Sequence, residues 1–501
     1  MALGGVYMTD VDGNIGIVRT SFVSEQVCGL VFDISGQTNF WSGDAATTQA
    51  PNGSTRAANW QNKIIELNNI DDAESLGLSM NGDSLNSDLL FGIPYYHVKH
   101  YFSIVGGSGR LFVAFADCSS NWDIIKQMQQ AAQGMISQFG VWTEKRLWTN
   151  GGSDVYETNL ISGLNDVGKA LANEFYAPAS ILLCANTSRV NGASDYVPAW
   201  INEGTTIYDG EGNSVSDDNL TSGTTYYTDA EHTTEAVEGT DYGLATGNQT
   251  PSDENIVLSK IPTVVPEGST NRYVSVMLGQ GSETVVAKMQ GKLSTTAVIG
   301  SLGAALGCLS RAKVSECIGW VQNNNLVDYF PDVEFGFGNY ALSDGAMTNR
   351  TVYSSLVQTQ LDALEEKGYM FLMKHPGYEG VYFSGDPTCT DGDYRFISRN
   401  RVINKSRRAV RAALLPYVNS PVKVDPTTGY LSAAQITVFK NLVNDALTAM
   451  KTAEEISDVG DVQIPVEQDI LRNDTLHIYY TIIPMGTAKR ILVTEGLTIT
   501  R

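Results

Sequence analysis

The stretch GVYFSGDPTCTDGDYRFISRNRVINKSRRAVRAALLPYV, residues 380–418, gives three local instructions in succession. GVYF is aromatic and β-branched, the composition of a strand. GDPTCTDGDY (385–394) has the Gly, Pro, Asp and Thr of a loop built from turns. From Phe396 onward nothing breaks a helix until Pro416, and that helix is basic: Arg399, Arg401, Lys405, Arg407, Arg408 and Arg411 crowd it. In a chain of net charge -22 such a segment has two readings. It is a solvated surface helix, or it makes an electrostatic contact with an acidic partner surface.

Downstream, the turn DPTTGYL precedes a helix signalled by Ser432 and Gln435 as a capping box. Its apolar stripe runs through Ile436, Phe439, Leu442, Val443, Ala446, Leu447 and Met450. TLHIYYTIIP and AKRILVTEGLTITR (475–484 and 488–501) then read as β. Leu497 and Ile499 alternate with Thr498 and Thr500, as residues of a strand do.

Upstream, helical and strand patterns alternate. A helix is expected over 354–367, leading into the strand-like YMFLMK, and YVSVML (273–278) reads as a strand followed by two helices ending near Ser310. ILLCA (181–185) and CGLVFDI (28–34) are short apolar strands, and 164–175 is a helix. Trp122, Ile125, Met128, Ala132, Met135 and Phe139 recur at helical steps, with Ser120 or Asn121 as N-cap. YYHVKHYFSIV, GGSG and RLFVAFAD (95–117) read as a β-hairpin, and KIIELNN and DDAESLGL as helical. Strands alternating with helices point to an α/β layer.

Between Ile201 and Ser259 there is no Lys or Arg, and Asp, Glu, Thr, Ser and Gly dominate. This acidic segment reads as an outward excursion of loop and irregular β, with few aliphatics for a core. At 501 residues the chain calls for about two to four structural units. The acidic excess and a pI near 4.6 argue against nucleic-acid binding, which needs a basic surface. The six cysteines are scattered without a CxxC pair, so reduced thiols in a cytoplasmically folded chain are expected. The N-terminus lacks the pattern of a secretory signal, and no apolar run reaches membrane-spanning length.

Catalytic and ligand motifs fall short. GLNDVGKA (163–170) has P-loop spacing, but Ala170 stands where Ser or Thr must meet magnesium, so a helix start is the better reading. GFGNYA (336–341) lacks the flanking strand and helix of a dinucleotide site. DVDGN (10–14) lacks the Gly and Glu of a calcium loop. His97 and His100, read on a strand, face opposite sides and do not share a metal. His375, Ser384 and Asp386 have the residue types of a triad but no nucleophile elbow, and Asp391 and Asp393 are accounted for by turn chemistry. No catalytic, cofactor or metal residue is assigned.

The order strand, GDPTCTDGDY loop, basic helix, extended turn, helix and terminal β segment resembles the C-terminal domain of contractile tail sheath proteins. The strand, the 95–117 segment and NWDIIKQMQQAAQGMISQFGVW look like the same family's α/β middle domain. The resemblance implies an α/β, overall α+β, subunit: a linking arm over 1–25, a middle domain over 26–350 with its excursion at 201–260, a C-terminal domain over 351–485 and a linking strand over 486–501. It implies a structural subunit, not an enzyme, that polymerises helically around an inner tube and contracts to drive it through a target envelope. Its partners would be copies of itself, the tube protein, and baseplate and tail terminator proteins, without nucleic acid, membrane insertion or cofactor. Assembly in the bacterial cytoplasm into a phage tail or phage-like particle is implied. The arm roles fall on Val6, Tyr7, Ile15, Ile17, Val18, Ile491, Val493, Leu497 and Ile499, and tube or neighbour contact on the basic helix. An α/β hydrolase-like enzyme and a surface adhesin or glycan-binding module are the alternatives.

Overall fold

The structure is a computed structural model of the 501-residue chain. It describes residues 25–35, 40–79, 85–150, 154–156, 158–186, 200–201, 205–216, 220, 224–237, 241–243, 263–280, 299–329, 346–347, 358–493 and 495. Two compact units emerge, one from Met1–Leu147, Glu157–Thr187 and Pro262–Arg501, the other from Trp148–Tyr156 and Ser188–Ile261.

The larger unit is built on a seven-stranded sheet among the described residues. Its strands are β1 (Val27–Asp33), β2 (Ile64–Leu67), β3 (Arg110–Ala116), β4 (Gln138–Arg146), β5 (Ser180–Asn186), β6 (Val274–Met277) and β7 (Tyr369–Met370). They lie in the order β7-β6-β5-β4-β1-β3-β2, all parallel except β2, which runs antiparallel to β3 at the edge. β1 is buried at every position, as a strand covered on both faces must be.

Helices α1 (Leu85–Val105), α2 (Asp123–Ala131), α3 (Thr158–Asn173) and α4 (Leu302–Arg311) cover the sheet. α4 seats Leu302 and Leu306 over Gly140, on the face that carries Leu30, and α2 places Met128 against Gly29 on the other face. α1 and α4 approach closely: a Cβ at Gly303 would lie 2.0 Å from the carbonyl oxygen of His97. Only glycine permits that contact.

Several sequence expectations change here. YYHVKHYFSIV is the second half of α1, not a hairpin strand; only RLFVAFA, β3, is β. The run is buried nearly all round, and period cannot separate a buried strand from a buried helix. Residues 64–67, expected to be helical, form β2, while Ile70–Ser75 is a helix as expected. α2 ends at Ala131, Gln133 and Gly134 take positive φ of 53° and 78°, and Phe139 belongs to β4. GLNDVGKA lies inside α3 rather than at a helix start.

Beyond the sheet come α5 (Gln358–Glu366), β8 (Leu372–His375) paired with β9 (Tyr378–Phe383), α6 (Ile397–Leu414) and α7 (Ala433–Thr452). The Ser432 hydroxyl accepts from the Gln435 backbone N–H at 3.4 Å, the expected cap of α7. Of the expected stripe, Ile436, Phe439, Val443, Ala446, Leu447 and Met450 are buried. The last pair is β10 (Ile456–Gln463) and β11 (Tyr479–Pro484). α7 and this pair share a core of Val443, Ala446, Leu447, Met450, Ile456, Val462, Tyr480 and Ile482.

The smaller unit has short antiparallel ladders, including Trp200–Ile201 with Tyr242–Gly243 and Ile207–Tyr208 with Ser214–Val215. Contrary to the coreless reading, it buries Ile207, Leu220, Tyr226, Ala236 and Tyr242 together. Its acids make turns. Asp209 Oδ1 accepts from the N–H groups of Glu211 and Asn213, each at 2.9 Å, and Asp229 accepts from Thr233 and Thr234 at 2.9 and 2.7 Å. These bonds hold both carboxyls below their ordinary pKa.

Candidate assembly surface

The basic helix is α6, and three of its six cations are turned inward, whereas Arg399, Lys405 and Arg411 stay part-exposed. Arg401, Arg407 and Arg408 are 1%, 4% and 6% exposed. Arg401 donates to the carbonyls of Ala312 at 3.0 Å and Lys313 at 3.2 Å, at the C-terminal end of α4. Both carbonyls lie just past the last helical residue, Arg311, and the Lys313 carbonyl also accepts from the Glu316 N–H at 3.0 Å. Arg407 donates to Asn173 Oδ1 at 3.0 Å, at the end of α3, and to the Tyr273 hydroxyl at 3.3 Å, just before β6. Arg408 reaches the Pro178 carbonyl at 2.7 Å and Glu25 Oε1 at 2.5 Å, residues that precede β5 and β1. Lys405 pairs with Glu455, and Arg411 lies 4.4 Å from the Tyr176 ring centre. Arg399 donates to the Asp393 carbonyl at 3.0 Å. The guanidinium fork suits this work, because it satisfies several carbonyls from one rigid group. α6 is therefore an internal brace across the N-terminal ends of the parallel strands.

Among the apolar side chains the unit exposes are several on β11 and after it. Ile456, Val462, Tyr480 and Ile482 point into the α7 core, while Tyr479 and Ile483 face outward at 55% and 52% exposure. The ladder shifts register between Val459 and Val462. There Gly460 sits against Thr481 so closely that a Cβ would lie 2.1 Å from its Oγ1, the mark of a bulge. Among the described residues this sheet has two strands. The chain then leaves it: 485–493 form no strand, and Ile491, Leu492 and Val493 are 78%, 93% and 83% exposed. Val6, Tyr7, Ile15, Ile17, Val18, Leu497 and Ile499 lie outside the described residues, as do 10–14 and 336–341.

The other candidate chemistry is dispersed or inert. His97 and His100 lie on a helix, so three residues apart they share a side rather than opposing. Both are fully buried; burial lowers the pKa of His97 to about 3 and that of His100 well below the usual value. His97 Nδ1 accepts from the Gly303 N–H at 3.2 Å, and the His100 ring packs 4.0 Å from that of Tyr96. The His375 ring lies tilted 5.6 Å from that of Tyr382, the Ser384 hydroxyl accepts from the Phe371 N–H at 3.2 Å, and Asp386 Oδ2 accepts from the Ser398 N–H at 2.8 Å. Each thus serves a separate local structure. The Asp391 carboxylate accepts from the Gly268 N–H at 3.4 Å, while Asp393 meets Arg399 through its backbone carbonyl. No group of three or more His, Cys, Asp or Glu arranged for a metal occurs among the described residues. Among the same residues, no helix is long and apolar enough to cross a membrane. The described cysteines are free thiols, and burial pushes Cys28, Cys118, Cys184 and Cys308 up to about 12.

Sequence reasoning missed one polar knot. Asp33 ends β1 where the strand order reverses, the position at which open α/β sheets often place ligands. Its Oδ1 accepts from Ser35 and Cys118 N–H at 2.9 and 3.1 Å, and its Oδ2 from the Thr143 hydroxyl at 2.8 Å. Lys145, 3.3 Å away, completes the shell from over the Trp122 ring. The knot thus joins the loops after β1 and β3 to the C-terminal half of β4. The closing Asp of CGLVFD was the available signal. β10 was also missed, because the bulge at Gly460 breaks its alternation.

Residues 265–386 match the model for DUF2586, N-terminal domain, and residues 393–499 that for DUF2586, C-terminal domain. No curated protein matches the chain. Among solved structures, it is similar to a chain of the anti-feeding prophage baseplate, with 12% identity, TM-score 0.49 and coverage of 100% of both chains. It is also similar to the PVC sheath complex of an extracellular contractile injection system in the contracted state, with 11% identity, TM-score 0.48 and coverage of 100% and 98%. The anti-feeding prophage helical sheath in the contracted state gives 12% identity, TM-score 0.46 and coverage of 99% and 100%. By sequence, then, the chain is similar to the two DUF2586 domains in succession, and the matched segments are separated only by 387–392, the loop leading toward α6.

Proposed function

We propose that this chain is a contractile tail sheath subunit, which polymerises helically around an inner tube and shortens to drive the tube through a target envelope. The observation that carries the reading is the sheet β10–β11, two-stranded among the described residues, followed by Ile491, Leu492 and Val493, which are exposed and lie in no strand. A two-stranded sheet is marginal by itself, and its free edges are templates for further strands. Strands from neighbouring copies complete it by edge addition. The arms are Val6, Tyr7, Ile15, Ile17 and Val18 at one end and Ile491, Val493, Leu497 and Ile499 at the other. The order of elements around α6, which resembles the sheath pattern, supports the same reading.

Each added backbone hydrogen bond contributes about 0.5–1.5 kcal/mol net, so a strand making about four contributes roughly 2–6 kcal/mol. Repeated around a lattice, these links hold the subunits while their bodies change neighbours. Contraction follows when an extended lattice is held metastably and a shorter arrangement of the same subunits is lower in free energy. The braced α6 suits a body that moves rigidly while its arms bend. The remaining partners are an inner tube protein and baseplate and terminator proteins, with assembly in the bacterial cytoplasm.

Negative-stain microscopy of the purified full chain tests the reading: tubes with a cogwheel cross-section are expected. Deletion of residues 496–501 is expected to leave soluble subunits that do not polymerise. Normal sheaths from the shortened chain would refute the arm assignment, and discrete particles from the full chain at every salt concentration would refute the sheath.

A further inference from the structure

Between β11 and the open residues 491–493, one side chain returns to the body. Lys489 Nζ lies 2.5 Å from Glu365 Oε1 on α5 and 5.2 Å from the ring centre of Phe396, at the start of α6. Its charge also acts on the carboxyl of Asp386, which is buried at the same helix start. The Lys489 N–H donates to the Thr487 carbonyl at 3.1 Å, so the backbone turns here. The two charged side chains are 37% and 23% exposed, whereas Ile491, Leu492 and Val493 are 78%, 93% and 83% exposed. The chain touches the body at this residue and leaves it again.

The geometry points to Lys489 as the positioning residue of the C-terminal linking segment: held by Glu365 and the Phe396 ring, it fixes where the following strand departs toward a second copy of this chain. The inference rests on the sheath reading for what the strand meets, but not for the anchor itself. With the anchor, free chain begins after residue 489. Without it, free chain begins after Pro484, and five more residues add about 16 Å of reach. That slack matters, because a strand entering a neighbour's sheet one residue out of register turns its apolar side chains to the wrong face. A simple surface ion pair would be worth little. Here the pair is partly covered, faces an aromatic ring and sits at the point where the chain changes course.

The test uses charge reversal in the full chain, with two readouts. In subunits kept unassembled, chymotrypsin cleavage after Leu492 reports release of the segment, because proteases need several free residues on either side of the bond. Lys489→Glu and Glu365→Lys should each speed that cleavage about five-fold, the loss of one partly covered ion pair. The melting temperature of the body should not change. The double variant Glu365→Lys/Lys489→Glu should cleave more slowly than either single variant, though faster than the parent, because a carboxylate at 489 loses the Phe396 ring contact and lies near Asp386. Cleavage at the parental rate in both single variants would overturn the anchor, as would a double variant no slower than the singles. In assembly, the single variants should give irregular or few tubes and the double variant more regular ones; single variants that assemble normally despite faster cleavage would overturn the positioning role. If the parent chain forms no tubes while the cleavage pattern holds, the sheath reading fails and the anchor stands.

Discussion

Arg401 separates an internal brace from a contact surface. The residue is 1% exposed, and its guanidinium donates to Ala312 and Lys313 carbonyls at 3.0 and 3.2 Å. Arg401→Ala removes two charge-assisted hydrogen bonds, each worth roughly 1.5–3 kcal/mol, and takes the donor from the buried Ala312 carbonyl, while the Lys313 carbonyl keeps the Glu316 N–H at 3.0 Å. Against this, the native guanidinium carries an uncompensated cost, because its Nε is buried without a partner. The balance is a loss of about 3 kcal/mol, a large share of the ~5–15 kcal/mol by which domains are stable. In melting temperature that corresponds to roughly 3–4 °C for a unit of this size. Arg399→Ala is the control: the same charge on the same helix but only part-buried, with an expected loss under about 1 kcal/mol. The assay is thermal unfolding of unassembled subunits, followed by tryptophan fluorescence and calorimetry. If α6 instead faced a tube or neighbour, Arg401→Ala would melt within about 1 °C of the parent while assembly failed. That result would refute the brace.

Acid should destabilise the larger unit through His97. Burial holds its folded pKa at about 3, below the ordinary histidine value of 6.5, so the unfolded chain takes the proton first and stability falls as pH drops below 6.5. By pH 4.5 the loss from this residue is roughly 2–3 kcal/mol, and His97→Gln should flatten the melting-temperature slope over that range; an unchanged slope would count against it. Gly303→Ala places a methyl group 2.0 Å from the His97 carbonyl oxygen, so the helices must part. A cost of about 3 kcal/mol is expected in denaturant unfolding, and a neutral outcome would contradict the close packing. Cys28, Cys184 and Cys308 should resist a disulfide-exchange reagent at pH 8 in the native chain and react once it is unfolded, since burial removes both thiolate and access. Rapid native labelling of Cys184 would contradict its burial.

Local chemistry was legible where it was decided locally. The cap at Ser432 and the stripe of α7 follow from side chains a few residues apart, and β1 and β5 are apolar runs of the length a covered parallel strand requires. The 85–105 helix was not legible, because an apolar run buried on all sides carries no period to read. β2 and the bulged β10 were missed for the reciprocal reason. An edge strand, and a strand interrupted by Gly460, depend on their partners more than on their own pattern. For the candidate surface, the sequence marked Ile491 and Val493 as strand-forming and unclaimed, and the structure leaves both exposed.

By itself the sequence determined the alternation of helix and strand, the position of the basic helix and the absence of a spaced catalytic or metal motif. Each of these depends on neighbours along the chain. Tertiary structure alone decided which way α6 faces. Six cationic residues close together read as a surface because an unpaired charge cannot be buried. Yet the carbonyls that satisfy Arg401, Arg407 and Arg408, at Ala312, Lys313 and Pro178, and the acceptors at Asn173 and Glu25, lie about 90 to 380 residues away in sequence. No window along the chain contains both donor and acceptor, so only the fold could show that these charges were already engaged.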